Sequence, residues 1–165
     1  MRSLRRITVA LLIIALAGCG WHLRGSAPGA ASLDGVTVVV DSRVGQGGLA
    51  REVRRAVSAA GADVRESGDG PRLILESERR DRQQLSVAAD GGIEEFELRY
   101  RVGWSIESAD GETLAGPDTF EQVRAFRYDR GQVLGSEERE EGLVEELRRD
   151  IAFLLAERVQ ATVGE

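Results

Sequence analysis

The chain has 165 residues, enough for one domain, and its 42% apolar content can fill one packed core. Charged residues make up 30% with no long low-complexity tract, which excludes global disorder. The formal charge is −6 and all 22 basic residues are Arg, a balance that excludes a general nucleic-acid binder.

The chain opens with MRSLRR, three arginines and no acid, followed by the eleven-residue apolar run ITVALLIIALA. A basic start, a short apolar core and small residues lay out a secretory signal over 1–18. The run is too short for an ordinary spanning helix, which needs about 20 apolar residues. Leu16-Ala17-Gly18-Cys19 resembles the lipobox of bacterial lipoproteins, in which the chain is cut before the cysteine and its thiol is acylated. The resemblance makes Cys19 the lipid attachment point, and acylation would consume the only thiol. Gly20 in place of Asp favours, by the same resemblance, an outer-membrane destination. Residues 19–35, rich in Gly, Ala, Ser and Pro, read as a tether.

The folded domain is expected over 36–165. VTVVV (36–40) reads as a short buried strand, and residues 41–48 as a loop. A helix follows over 49–61, with Leu49, Val53, Ala56, Val57 and Ala60 on one face and Gly61 as its stop. Residues 71–87 read as a long strand, polar in its second half, ending at an Asp90-Gly91 hairpin turn. In the next strand Phe96, Leu98, Tyr100, Val102, Trp104 and Ile106 alternate with polar residues, so one face is buried and one wet. Asp110-Gly111 marks a second hairpin, and 112–128 the returning strand, interrupted at Gly116-Pro117. A final helix is predicted over 136–161, capped by Ser136 with acids in its first turn and an apolar stripe of Leu143, Leu147, Ile151, Leu154 and Leu155. The order β-α-β-β-β-α predicts an α+β fold: a four-stranded mixed sheet with two helices packed on one face.

The opposite sheet face is expected to be polar. It should carry Arg99 and Arg101 with some of Arg79, Arg80, Arg82, Arg124 and Arg127, balanced by Glu76, Glu78, Glu97 and Glu121. Guanidinium groups pair bidentately with phosphate and carboxylate, so this face is a candidate for anionic lipid headgroups. Gly45-Gln46-Gly47-Gly48-Leu49-Ala50 matches G-x-G-x-x-A between a strand and a helix. Four residues separate strand from first glycine and only one β-α-β unit is present, so it reads first as a connecting loop, with a nucleotide-using enzyme as a rival. His22 is the only histidine and Trp21 precedes it, which leaves no zinc set; both suit contact with a membrane or a partner. The usual hydrolase, zinc-protease and P-loop motifs are absent, so neither catalysis nor a cofactor is expected.

Cys-Gly-Trp-His-Leu-Arg (19–24) closely resembles the start of mature lipoproteins of the LptE family, which assemble lipopolysaccharide. The layout of the rest is similar: a short strand, a helix, a long hairpin, the strand Arg124-Ala125-Phe126-Arg127-Tyr128-Asp129 and an acidic final helix. The resemblance implies a two-helix, mixed-sheet fold that plugs the LptD β-barrel, assists its assembly and helps deliver lipopolysaccharide to the outer leaflet. It also implies lipopolysaccharide binding, partly through basic residues. Better-known members carry a basic residue at the hairpin tip and before the last helix; residues 87–92 and 134–137 here carry none. Arg79, Arg80, Arg82, Arg99 and Arg101 are the candidates to substitute, and Trp21 and His22 the candidates for barrel or membrane contact. The alternative is a general periplasm-facing lipoprotein that binds another ligand without a barrel.

Overall fold

A computed structural model of the chain describes residues 32–87 and 93–164. The elements run β1 (Thr37–Ser42), α1 (Gly48–Ala59), β2 (Asp63–Arg65), β3 (Arg72–Val87), β4 (Ile93–Glu107), β5 (Thr113–Asp129), a 3₁₀ turn (Arg130–Gln132) and α2 (Val133–Val163). The strand order is β2-β1-β3-β4-β5. The α+β class and the mixed sheet match expectation, but the sheet has five strands rather than four. The extra strand, β2, is three residues long and pairs parallel with β1 through Thr37↔Asp63. It carries no apolar alternation of its own and exists by pairing.

β1 is parallel to both neighbours, and Val38, Val39 and Val40 are all buried, as strands flanked on both sides require. The chain leaves β1 through α1, whose Leu49, Ala50, Val53 and Val57 are buried. Gly61 ends this unit with φ +104°, and a Cβ there would lie 2.4 Å from Asp34 Oδ1. Both the left-handed backbone and the close approach demand glycine at that point. Leu33, inside the segment read as tether, is fully buried in the core.

β3, β4 and β5 form an antiparallel meander with long registers, from Arg72↔Glu107 to Val87↔Glu94 on one side and from Ile93↔Asp129 on the other. Leu98, Tyr100, Val102, Trp104 and Ile106 of β4 are buried against both helices, as their alternation predicts. α2 supplies Leu147, Ile151 and Leu155, all fully buried, each stabilising by roughly 1.5–3 kcal/mol. Both helices therefore contribute to one core on one sheet face.

α2 begins at Val133, three residues before the predicted start. Ser136 is thus not a cap, the first turn holds no acid, and 134–137 is helix rather than loop. Ser136 is instead buried and closes the corner from β5, its Oγ accepting from the Asp129 N–H at 3.0 Å. The Gly116–Pro117 peptide bond is cis, at the place where β5 was expected to be interrupted.

Candidate functional site

The sides taken by Arg79, Arg80 and Arg82 depend on the first of two irregularities in β3. The register with β4 shifts between Leu75 and Ser77. Before the shift Leu73 and Leu75 face the helices, opposite Ile106 and Trp104. After it Glu78, Arg80 and Arg82 do so, opposite Val102, Tyr100 and Leu98. Arg79 and Asp81 consequently fall on the open face, opposite Arg101 and Arg99. The five candidate arginines are therefore divided by the sheet: Arg79, Arg99 and Arg101 on the open side, Arg80 and Arg82 on the helix side. Arg124 also belongs to the helix side, bound to Asp150 at 2.7 Å.

On the open face arginine and carboxylate alternate across strands. Arg99 Nη2 donates to Glu97 at 2.8 Å and its Nε lies 3.7 Å from Glu121. Arg101 pairs with Asp81 and lies 3.9 Å from Glu121. The hydrogen bond to Glu97 and the charge of Glu121 raise the Arg99 pKa, so the guanidinium stays charged at any physiological pH. Arg79 has no carboxylate partner among the described residues and stands directly across from Arg101. Two like charges in register with one of them unpaired make Arg79, of the three candidate arginines on the open face, the one with most capacity for an added anion.

On the helix face Arg82 is a clamp. Its guanidinium lies 3.8 Å from the centre of the Phe96 ring and 5.0 Å from that of Tyr128, and it binds Glu140 of α2 at 2.8 Å. Phe96 in turn stacks on Phe126 with centres 5.9 Å apart. A second tie sits further along. The Tyr100 hydroxyl donates to Glu78 Oε1 at 2.5 Å and accepts from Arg148 Nε at 3.3 Å. Arg148 Nη2 also reaches Glu78 at 3.1 Å. Burial, then the bond to Glu78, raises the Tyr100 pKa above its usual value.

Exposed apolar residues gather near the distal end of the hairpin: Leu85 at 48%, Val133 at 43% and Leu134 at 77% exposure. Ile93 pairs with Asp129, which brings the start of α2 to that end. Leu85 falls in the strand expected over 71–87 and Val133 and Leu134 before the helix expected from Ser136, so residues this far apart in the chain announce no common surface. Cys19, Trp21, His22 and the Asp90-Gly91 turn lie outside the described residues. Among the described residues no cluster of three metal-ligating side chains occurs, and no helix is long and apolar enough to cross a membrane. The Gly45–Ala50 stretch ends the β1–α1 connection and forms the first turn of α1, with Gly45 at φ +91° and the Ser42 hydroxyl donating to the Gly45 carbonyl at 2.6 Å.

A family model described as LptE, lipopolysaccharide-assembly, matches residues 35–159, the whole sheet and nearly all of α2. The chain belongs to the LptE family. The LPS-assembly lipoprotein LptE of Photorhabdus laumondii is 27% identical over 155 residues, covering 93% of this chain and 83% of that protein. The protein of the same name from Pectobacterium atrosepticum is 30% identical over 95 residues, 56% of this chain and 50% of its own length. Among solved structures a lipoprotein B from Nitrosomonas europaea shares the fold, with TM-score 0.67 and 24% identity over 86% of this chain and 91% of that one. The LptE-family resemblance read from the residues is thus established, and with it a place in lipopolysaccharide assembly.

Proposed function

We propose that the chain is exported, cut before Cys19 and acylated there, and acts as a non-enzymatic outer-membrane lipoprotein. In this reading it plugs an LptD-type β-barrel, assists the barrel's assembly and takes part in inserting lipopolysaccharide into the outer leaflet. The observation that carries the reading is the family match across the folded domain. The surface supports it. A large barrel lumen is polar and wet, and the open sheet face presents Arg79, Asp81, Glu97, Arg99, Arg101 and Glu121 to such a lining. Enclosure in a barrel would also shield the outer edges of β2 and β5, which are unpaired among the described residues. The exposed Leu85, Val133 and Leu134 offer an apolar patch to a barrel wall or an acyl chain. Trp21 and His22, next to the acylated cysteine, are assigned to the barrel or membrane boundary.

Direct lipopolysaccharide contact is assigned first to Arg79, with Arg99 and Arg101 beside it. Arg80 and Arg82 are secondary, since both lie on the helix side and Arg82 is held by Glu140. The deciding experiment is purification of the tagged chain in gentle detergent. Recovery with a large outer-membrane barrel supports the reading; a solitary monomer refutes it. For the lipid, Arg79→Glu alone and Arg99→Glu with Arg101→Glu are compared for binding to purified lipopolysaccharide. Unchanged affinity in both removes the open face from the reading.

A further inference from the structure

We propose that the cleft between the start of α1 and the middle of α2 is an anion site for a phosphomonoester or diphosphate group. The inference does not rest on the barrel reading. The cleft is a cavity of about 280 Å³ lined by Gly48, Arg51, Glu52 and Arg55 of α1 and by Glu145, Arg148 and Arg149 of α2. That volume lies near the lower end of small-ligand pockets. Four arginines face two carboxylates there, in a chain whose formal charge is −6. The cleft is thus an electropositive island on an acidic protein.

The arginines differ in how far they are already engaged. Arg55 is bound to Glu52 at 3.0 and 3.1 Å. Arg148 uses Nε and Nη2 on Tyr100 and Glu78, and those bonds fix its plane. Its Nη1 is left facing the first turn of α1: a Cβ on Gly48 would lie 2.9 Å from it. Glycine at 48 lets a guanidinium lie against the helix, where any other residue would push it out. Arg51 and Arg149 are exposed and have no carboxylate partner among the described residues. Two unpaired guanidinium groups and one oriented N–H edge therefore converge on one cavity, the donor set that a phosphate oxygen trio accepts.

The start of α1 adds to this field. Its first turn contains no acid, and Gly47 offers no side-chain hydrogen bond to it. A second cavity of about 270 Å³ shares Arg148 as lining, with Val44, Glu78, Arg80 and Tyr100. Arg80 there also has no carboxylate partner among the described residues. A ligand with two phosphates could engage both cavities across Arg148. The phosphate could belong to a lipid headgroup or to a soluble anion.

The test uses the full chain in detergent with inorganic pyrophosphate as probe, read by calorimetry at low salt. Arg51→Ala with Arg149→Ala should weaken binding at least about tenfold while leaving the melting temperature unchanged, because neither residue is ion-paired. Arg51→Lys with Arg149→Lys should recover only part of the loss, since lysine keeps the charge without the fork. A second arm compares phosphatidylcholine vesicles with and without phosphatidic acid. Extra binding to the phosphatidic acid vesicles that the double alanine variant loses identifies a headgroup. Pyrophosphate binding without that difference identifies a soluble phosphate. Neither pyrophosphate binding nor a vesicle difference, or equal affinities in the double alanine variant and the parent, overturns the proposal.

Discussion

Tyr100→Phe removes one oxygen from a residue 1% exposed and leaves its ring in place. The hydroxyl makes two bonds, to Glu78 at 2.5 Å and from Arg148 at 3.3 Å. A hydrogen bond to a charged group contributes about 1.5–3 kcal/mol. Glu78 keeps Arg148 and is 22% exposed in its side chain, so water compensates part of the loss. The expected cost is therefore near the lower bound, about 1.5–2 kcal/mol. With an unfolding entropy of roughly 2.1 cal/mol/K per residue over a domain of about 130 residues, that is a fall of roughly 5–7 °C in melting temperature. The pH dependence tests the cause. Burial and the bond to Glu78 raise the folded pKa of Tyr100 above the ordinary value of about 10. Its contribution is then complete below pH 10 and is lost as pH rises past 10 toward the folded value, by up to about 1.4 kcal/mol per unit. Urea unfolding followed by tryptophan fluorescence at pH 8, 10 and 11 should show parent and variant converging at the alkaline end. Equal stabilities at pH 8, or parallel curves above pH 10, would refute the reasoning.

Three further outcomes are expected. Leu147→Ala, at a fully buried core position, should cost about 2–5 kcal/mol in urea with little change in slope. Arg82→Ala should cost roughly 1 kcal/mol, from an exposed ion pair and a cation–π contact, and should speed amide exchange in the first turns of α2; unchanged exchange there would mean that Arg82 does not clamp. Cys19→Ser should abolish acyl labelling and move the protein from the membrane to the soluble fraction, and retained labelling would exclude Cys19 as the attachment point.

The sequence was most legible where one strand had one wet and one dry face. The alternation from Phe96 to Ile106 placed β4, its core face and hence both helices on that face. It was least legible where a single residue breaks period. Counting by twos from Leu73 and Leu75 would put Arg79 toward the helices and Arg82 on the open side, the reverse of what the structure has. Nothing in Glu76-Ser77 announces the shift, so a grouping of arginines by local density crossed the sheet. β2 was missed because Asp63-Val64-Arg65 gains its conformation from β1 rather than from its own residues. The early start of α2 was missed because Ser136 and the acids behind it carry a helix-start pattern, while Val133, Leu134 and Gly135 carry none. The unpaired arginines of the α1–α2 cleft come from two helices nearly a hundred residues apart, and only packing brings them together.

The slip in β3 also divides the domain into two regions with different responses to ionic strength. On the near side of it, α1 and α2 rest on Leu73, Leu75, Trp104 and Ile106, contacts that salt does not screen. On the far side β3 offers Glu78, Arg80 and Arg82, and α2 is tied to it through Arg148 and Glu140. Partly exposed ion pairs weaken as the Debye length shrinks from about 10 Å at 0.1 M salt to about 3 Å at 1 M. The first half of α2 therefore adds ion pairs that strong salt weakens to its buried Val144 and Leu147, while its last turns rest on the buried Leu155, Ala156 and Val159. One inserted register step thus gives a single helix a firm end and an adjustable end, and the adjustable end is the one that follows Asp129, the partner of Ile93 at the start of β4.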